Sequence, residues 1–201
     1  DTLTIHARPT HRKQIVKVEN FQLCYGEKTL FQPISFELNA GDCLALIGKN
    51  GSGKTSFLRF LMGEFTGEVR GRYSFYEPSV ISLVRQDFTT NQGTVKNFCE
   101  KEGLEEQELL HYLRKLGVER EVFLNNIEDM SQGQQKRVEI AKAMLKPAEL
   151  FIWDEPLNYL DVVNHQQLEA AILKARPTMI VVDHDRRFLQ TVATKSIEFT
   201  K

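Results

Sequence analysis

Three runs in this sequence carry residue types whose spacing could do chemistry. The first is Gly48-Lys49-Asn50-Gly51-Ser52-Gly53-Lys54-Thr55, a complete GxxxxGK[ST], followed by Ser56. Its glycines let backbone N–H groups turn inward around a phosphate, in dihedrals that a bulkier residue resists. Lys54 is then placed for the β- and γ-phosphates of a nucleoside triphosphate, and the Thr55 hydroxyl for Mg²⁺. The second run, Leu150-Phe151-Ile152-Trp153-Asp154-Glu155, delivers two adjacent carboxylates at the end of an apolar stretch. Asp154 suits a residue that holds Mg²⁺, and Glu155 a general base that orients and deprotonates an attacking water. Trp153 reads as core. The third, Met130-Ser131-Gln132-Gly133-Gln134-Gln135-Lys136, opens a helix about twenty residues before the acids. A hydroxyl and free N–H groups at a helix N-terminus make an anion site, although this run by itself also reads as an ordinary capped helix.

The elements that must position these residues follow from periodicity. Cys43 to Ile47 is short and continuously apolar, a strand buried on both faces, and the phosphate loop opens a helix at about Lys54 to Met62. Val80–Val84, Leu150–Trp153 and Met179–Val182 are further buried strands. Helices are predicted over Thr94–Leu116, Gln132–Leu145 (Ser131 as N-cap, Pro147 just beyond the end) and Val162–Ala175. A short helix and the strand-like Ser196–Thr200 close the chain. Before all this, Val16, Val18, Phe21, Leu23 and Tyr25 alternate, with an interruption near Glu19-Asn20, and Ile34, Phe36 and Leu38 form a second alternating run after a turn at Gly26-Glu27-Lys28. Strands alternating with helices after a β-rich start indicate an α/β fold: a mainly parallel sheet with an antiparallel β piece and a small helical piece.

Composition narrows the class. The chain has 201 residues, 26 Lys+Arg and 27 Asp+Glu, with 41% hydrophobic and 26% charged residues. That is ordinary for a folded domain; it excludes wholesale disorder and a globally basic nucleic-acid binder, and leaves local patches open. No apolar run approaches the roughly 18 residues of a membrane span, and Asp1–Pro9 lacks the layout of a signal peptide. Cys24, Cys43 and Cys99 form no CxxC pair, which fits a reduced, cytoplasmic setting. Residues 1–14 carry Arg8, Arg12 and Lys13 without periodicity; they read as the end of a linker, an arm or a frayed terminus. The absence of an initiator Met suggests a piece of a longer protein.

The order of the motifs resembles the ATP-binding cassette (ABC) family from about Ile15 to Lys201. Ser131-Gln132-Gly133-Gln134 is similar to the LSGGQ signature, with Gln132 replacing the first glycine. The resemblance implies ATP and Mg²⁺ as ligands, a domain over 15–201 with a helical subdomain at about 88–145, and ATP hydrolysis once a second cassette pairs with this one. It implies that the signature residues contact the γ-phosphate held by that partner. It further implies that Tyr25 stacks on adenine, though a half-buried strand tyrosine is the alternative. By the same resemblance Gln86 touches Mg²⁺ and the attacking water, and His184 senses the γ-phosphate. Pro156-Leu157-Asn158-Tyr159-Leu160-Asp161 then crosses the cassette interface through Asn158 and Asp161.

Within the family, three features resemble the ABC-F class, soluble paired cassettes that act on the ribosome. Only about 100 residues separate Lys54 from Asp154, the signature is substituted, and Trp153–Asp161 is similar to the second cassette of the Lsa/Vga-like resistance proteins. This implies a large-subunit ribosomal RNA partner and a role in antibiotic resistance by ribosomal protection, with no membrane span in the chain itself. The nucleotide-binding subunit or domain of a membrane transporter is the alternative.

Overall fold

Two sheets share the work of burying this chain, and the apolar patterns above explain which residues enter each. In the computed structural model, residues 3–201 are described. The first sheet is antiparallel. Its long strand β1 (Gln14–Tyr25) pairs with β2 (Lys28–Thr29), β3 (Ile34–Asn39) and β5 (Glu68–Phe75). The interruption read near Glu19-Asn20 is a bulge: the register to both β3 and β5 shifts there, and Asn20 takes φ 47°. A bulge adds one residue and restores the alternation, so Val16 and Val18 before it and Phe21 and Leu23 after it are all buried.

The second sheet is parallel at every pairing, in the order β6 (Ile81–Val84), β7 (Leu150–Asp154), β8 (Met179–Val182), β4 (Cys43–Ile47), β9 (Lys195–Glu198). Strands β7 and β8 are buried at every position, as expected where helices cover both faces. On one side lies α1 (Lys54–Leu61), in a cluster where the rings of Phe21, Phe57, Phe60 and Tyr73 meet at centroid distances of 5.0 to 6.2 Å. On the other lie α2 (Val95–Glu102), α3 (Glu106–Lys115), α4 (Gln132–Leu145), α5 (Val162–Ala175) and α6 (Arg186–Val192). Trp153 is fully buried there with its indole N–H directed at Ser82 Oγ, 3.4 Å away, a core residue as the sequence suggested.

Two sequence expectations change. The single helix expected over Thr94–Leu116 is two, α2 and α3, because Gly103 takes the left-handed conformation (φ 69°) that terminates α2. Residues 3–8 have more structure than their composition suggested. Leu3 and Ile5 are buried, Ala7 bridges Ala148, and the backbone of His6 and Arg8 bonds Met144 and Ala148. Thr4 bonds the Tyr112 hydroxyl through both its N–H and its carbonyl. Asp1 and Thr2 lie outside the described residues.

The three cysteines are free and buried, and burial pushes the Cys43 thiol up to about 12 and the Cys99 thiol to about 11. Among the described residues no helix is long and apolar enough to cross a membrane.

Candidate active site

Because the strands of the second sheet run parallel, the loops after β4, β6, β7 and β8 all leave from one edge, where ligands sit in open α/β folds. The loop after β4 turns by glycine. Gly51 and Gly53 have φ 78° and 97°. A Cβ on Gly48 would lie 2.6 Å from both the Phe199 carbonyl and Ser52 Oγ, and one on Gly53 would lie 2.5 Å from the Phe31 ring. Gly53 is also the N-cap of α1, so no side chain occupies the first amides of that helix. The Ser52 hydroxyl is buried without a hydrogen-bond partner among the described residues. Lys54, only 8% exposed, donates to the Gly48 carbonyl.

This loop gathers donors around one point. A buried hydroxyl, uncapped amides at a helix N-terminus and a retained ammonium fit the phosphates of a nucleotide. Asn50 to Ser56 line a cleft of about 180 Å³ together with Gln86 and Glu155. Gly48 and Lys49 lie on its other side and line a larger open groove beside β9.

Across the cleft, Asp154 ends β7 at 8% exposure. Burial, reinforced by the neighbouring Glu155 carboxylate, pushes its carboxyl up to about 6, against the pull of Lys136, Lys54 and the Gln86 amide. Gln86 Nε2 donates to Asp154 Oδ1 at 3.3 Å. Once ionised, the Asp154 carboxylate, with the side-chain amide of Gln86 beside it and the Thr55 hydroxyl at the start of α1, is an oxygen-donor set of the kind that suits Mg²⁺.

Glu155 follows in the left-handed region, φ 51°, an unfavourable place for a residue with a side chain. Its N–H donates to the Val182 carbonyl at 2.7 Å, and its own carbonyl accepts from Lys136 Nζ at 2.8 Å. Its carboxylate meets His184 Nε2 at 2.7 Å. The structure therefore brings together the phosphate loop, Gln86, Asp154, Glu155 and His184, which lie up to 136 residues apart in sequence.

The remaining sequence-selected residues lie elsewhere. Tyr25 ends β1 half-exposed, its ring 5.1 Å from that of Phe65. Ser131 caps α4 in a reciprocal box with Gln134: Ser131 Oγ accepts from the Gln134 N–H at 3.2 Å, and Gln134 Oε1 accepts from the Ser131 N–H at 2.9 Å. Ser131 and Gln132 are exposed, and none of Ser131, Gln132, Gly133 and Gln134 lines the cleft of their own chain. Asn158 is exposed; Asp161 caps α5 through the Asn164 N–H and pairs with Arg137 at 3.3 Å.

Sequence reasoning missed a layer of charged residues behind the site. Lys136 is 1% exposed, and burial draws its ammonium pKa down while Glu139, Asp183, Asp154 and Glu155 oppose that shift. Glu139, equally buried, accepts from the Arg85 N–H, Asn91 Nδ2 and Lys142 Nζ. Asp183, held up by burial, accepts from the N–H groups of Leu157 and Asp185. A signal existed for two of these: Lys136 and Glu139 fall at i, i+3 with the buried Ile140 and Ala143 on the inward face of α4.

A parallel sheet whose first loop cradles phosphate and whose neighbouring strand ends in paired acids defines a phosphate-loop nucleotide-binding domain. The family model described as ABC transporter matches residues 31–158, well over half of the chain, and the chain belongs to that family. Among curated proteins it is 34% identical over 191 residues to the ATP-binding protein Uup of Buchnera aphidicola (subsp. Schizaphis graminum), covering 91% of this chain and 32% of that one. It is 30% identical over 193 residues to the ribosome protection protein VmlR of Bacillus subtilis, covering 94% and 35%. Among solved structures it resembles the crystal structure of the archaeal ribosomal stalk protein aP1 in complex with the archaeal ribosome recycling factor aABCE1. The TM-score is 0.72 at 25% identity, over 94% of this chain and 37% of that one. The chain spans about a third of the length of these curated relatives.

Proposed function

We propose that this chain is an ATP-binding and ATP-hydrolysing cassette of an ABC-F protein that acts on the ribosome. The observation that carries the hydrolytic part is the 2.7 Å contact of Glu155 with His184 at the mouth of the phosphate cleft, beside the Gln86–Asp154 pair. Lys54, Ser52 and the loop amides hold the phosphates and fix the γ-phosphorus. Glu155 accepts a proton from water placed on the far side of that phosphorus, and His184 and Gln86 fix the water's direction. Mg²⁺, held by Thr55, Gln86 and Asp154, would neutralise charge on the phosphate oxygens. The residues otherwise contribute positioning and fixed charge, which is most of what phosphoryl transfer requires.

The exposed signature residues support pairing. They sit on a helix N-terminus turned away from the chain's own cleft, so a second cassette would receive them while returning its own. Tyr25 is the adenine platform in this reading, and Asn158 and Asp161 belong to the interface.

The ribosomal part rests on resemblance. The printed names of VmlR, a ribosome protection protein, and of the complex of a ribosomal stalk protein with the recycling factor aABCE1 are ribosomal, and the sequence resemblance of Trp153–Asp161 points the same way. That similarity supports a cytoplasmic role in antibiotic resistance by ribosomal protection as part of this proposal. The test is co-sedimentation of the parent protein carrying Glu155→Gln with ribosomes. ATP-dependent association is expected, and ribosome-independent behaviour with or without ATP would remove the ABC-F reading and leave the transporter cassette.

A further inference from the structure

Glu155 holds a left-handed backbone that its own side chain disfavours, and something outside the turn must maintain it. Within the turn only the Asn158 N–H reaches the Glu155 carbonyl, at a long 3.3 Å, and two shorter hydrogen bonds arrive from outside. One comes from the sheet: the Glu155 N–H reaches the Val182 carbonyl on β8. The other comes from a different element, α4, whose Lys136 places Nζ 2.8 Å from the Glu155 carbonyl. We infer that Lys136 is a positioning residue for hydrolysis, fixing the Glu155 turn so that its carboxylate faces the cleft and His184.

Four observations converge on this role. Lys136 is almost fully buried on the inward face of a helix, so it is not a solvated surface lysine whose contact is incidental. Its ammonium lies 5.6 Å from the centre of the Phe88 ring, which confines it from a second side. The carboxylates of Glu139, Asp183, Asp154 and Glu155 act on the same ammonium and hold it charged against burial, so it stays a donor to the Glu155 carbonyl. Finally, Glu139, one helical turn further along α4, accepts from the N–H of Arg85, the residue before Gln86. One helix thus anchors the backbone at Arg85, just before Gln86, and at Glu155. The same helix begins at Ser131 and Gln132, so a partner's phosphate bound at that end would press on the element that holds Glu155.

This inference rests on Glu155 acting as the general base, and the test separates the two. Lys136→Met keeps length and bulk while removing the donor, and nucleotide binding measured with a fluorescent ATP analogue reports whether the phosphate loop remains intact. The expected result is affinity within about threefold of wild type, with the rate of phosphate release at saturating ATP lowered about 10- to 100-fold, as for loss of one charged hydrogen bond. In the ¹⁵N-labelled protein, hydrogen exchange at the Glu155 amide should accelerate by about tenfold or more, while the amides of Gly51 and Gly53 stay unchanged. Unchanged Glu155 exchange, or an unchanged rate in an active protein, overturns the positioning role. Phosphate release is measured in the parent protein with both cassettes present; a wild-type parent protein that releases no phosphate would instead remove the hydrolytic reading of Glu155, and the exchange measurement alone would then decide whether Lys136 holds the turn.

Discussion

The two turns that face each other across the cleft reach left-handed backbone by opposite means. The phosphate loop does it with residues that carry no side chain, Gly51 and Gly53, and with Gly48 where a Cβ would strike the Phe199 carbonyl. The turn after β7 does it with Glu155 and Tyr159, at φ 51° and 66°, which bring side chains and therefore strain. The first turn needs no side chain in that conformation and carries its own Ser52 N–H to Lys49 carbonyl bond. The second leans on its neighbours: beside its own Asn158 N–H to Glu155 carbonyl bond at 3.3 Å, the Glu155 N–H is fixed by Val182, its carbonyl by Lys136, and the Leu157 N–H by Asp183. Binding can rely on a loop that is cheap to form. A base that must face one water molecule needs a side chain, and its backbone geometry is then supplied by neighbours.

This contrast can be broken at its strongest point first. Gly48→Ala forces a methyl group into the Phe199 carbonyl and Ser52 Oγ. Chemical denaturation should show a loss of about 2–4 kcal/mol, and ATP-analogue affinity should fall with it. Wild-type stability with unchanged affinity would mean that the loop is not closed in the way described.

The acidic side gives a smaller effect of opposite sign. The Asp154 carboxyl titrates at about 6 in the folded chain, above its ordinary value of 3.8. The fold therefore favours the protonated form: its contribution is fully present below 3.8 and is lost as pH rises through about 6. Asp154→Asn, which can still accept from Gln86, should stabilise the nucleotide-free protein by about 1–2 kcal/mol at pH 7.5. The gain should shrink as pH falls from 6 toward 4, read from melting temperatures across that range. A gain that does not depend on pH would contradict the burial account.

Smallest of all should be the stability effect of Glu155→Gly. Relief of the left-handed strain offsets the added freedom of the unfolded chain, and the net change should stay within about 1 kcal/mol. A loss several times larger would show that the Glu155 side chain, and not the outside hydrogen bonds, maintains the turn.

The same contrast explains what the sequence made legible. Gly48–Thr55, the buried strand ending in Asp154-Glu155, and the Ser131 cap of α4 are local chemistry, readable from residue type and spacing. The break between α2 and α3 was available in Gly103 but was outweighed by the helical spacing of Leu109, Tyr112, Leu113 and Leu116 around it. The docking of Leu3 and Ile5 was not readable: two apolar residues before Pro9 carry too little pattern, and the partners Met144 and Ala148 lie about 140 residues away. Lys136 and Glu139 look like the polar face of a helix until the fold turns them inward, and no local feature of Glu155 announces its φ.

The central claim is that Glu155 activates water above a phosphate held by Lys54 and the glycine loop. It is tested most directly by single-turnover phosphate release in the Glu155→Gln protein, with bound ATP measured in the same sample. The account predicts release slowed by about 10²–10⁴-fold with ATP retained, since the amide keeps the shape of the site and loses the base. Phosphate release at the wild-type rate would contradict it.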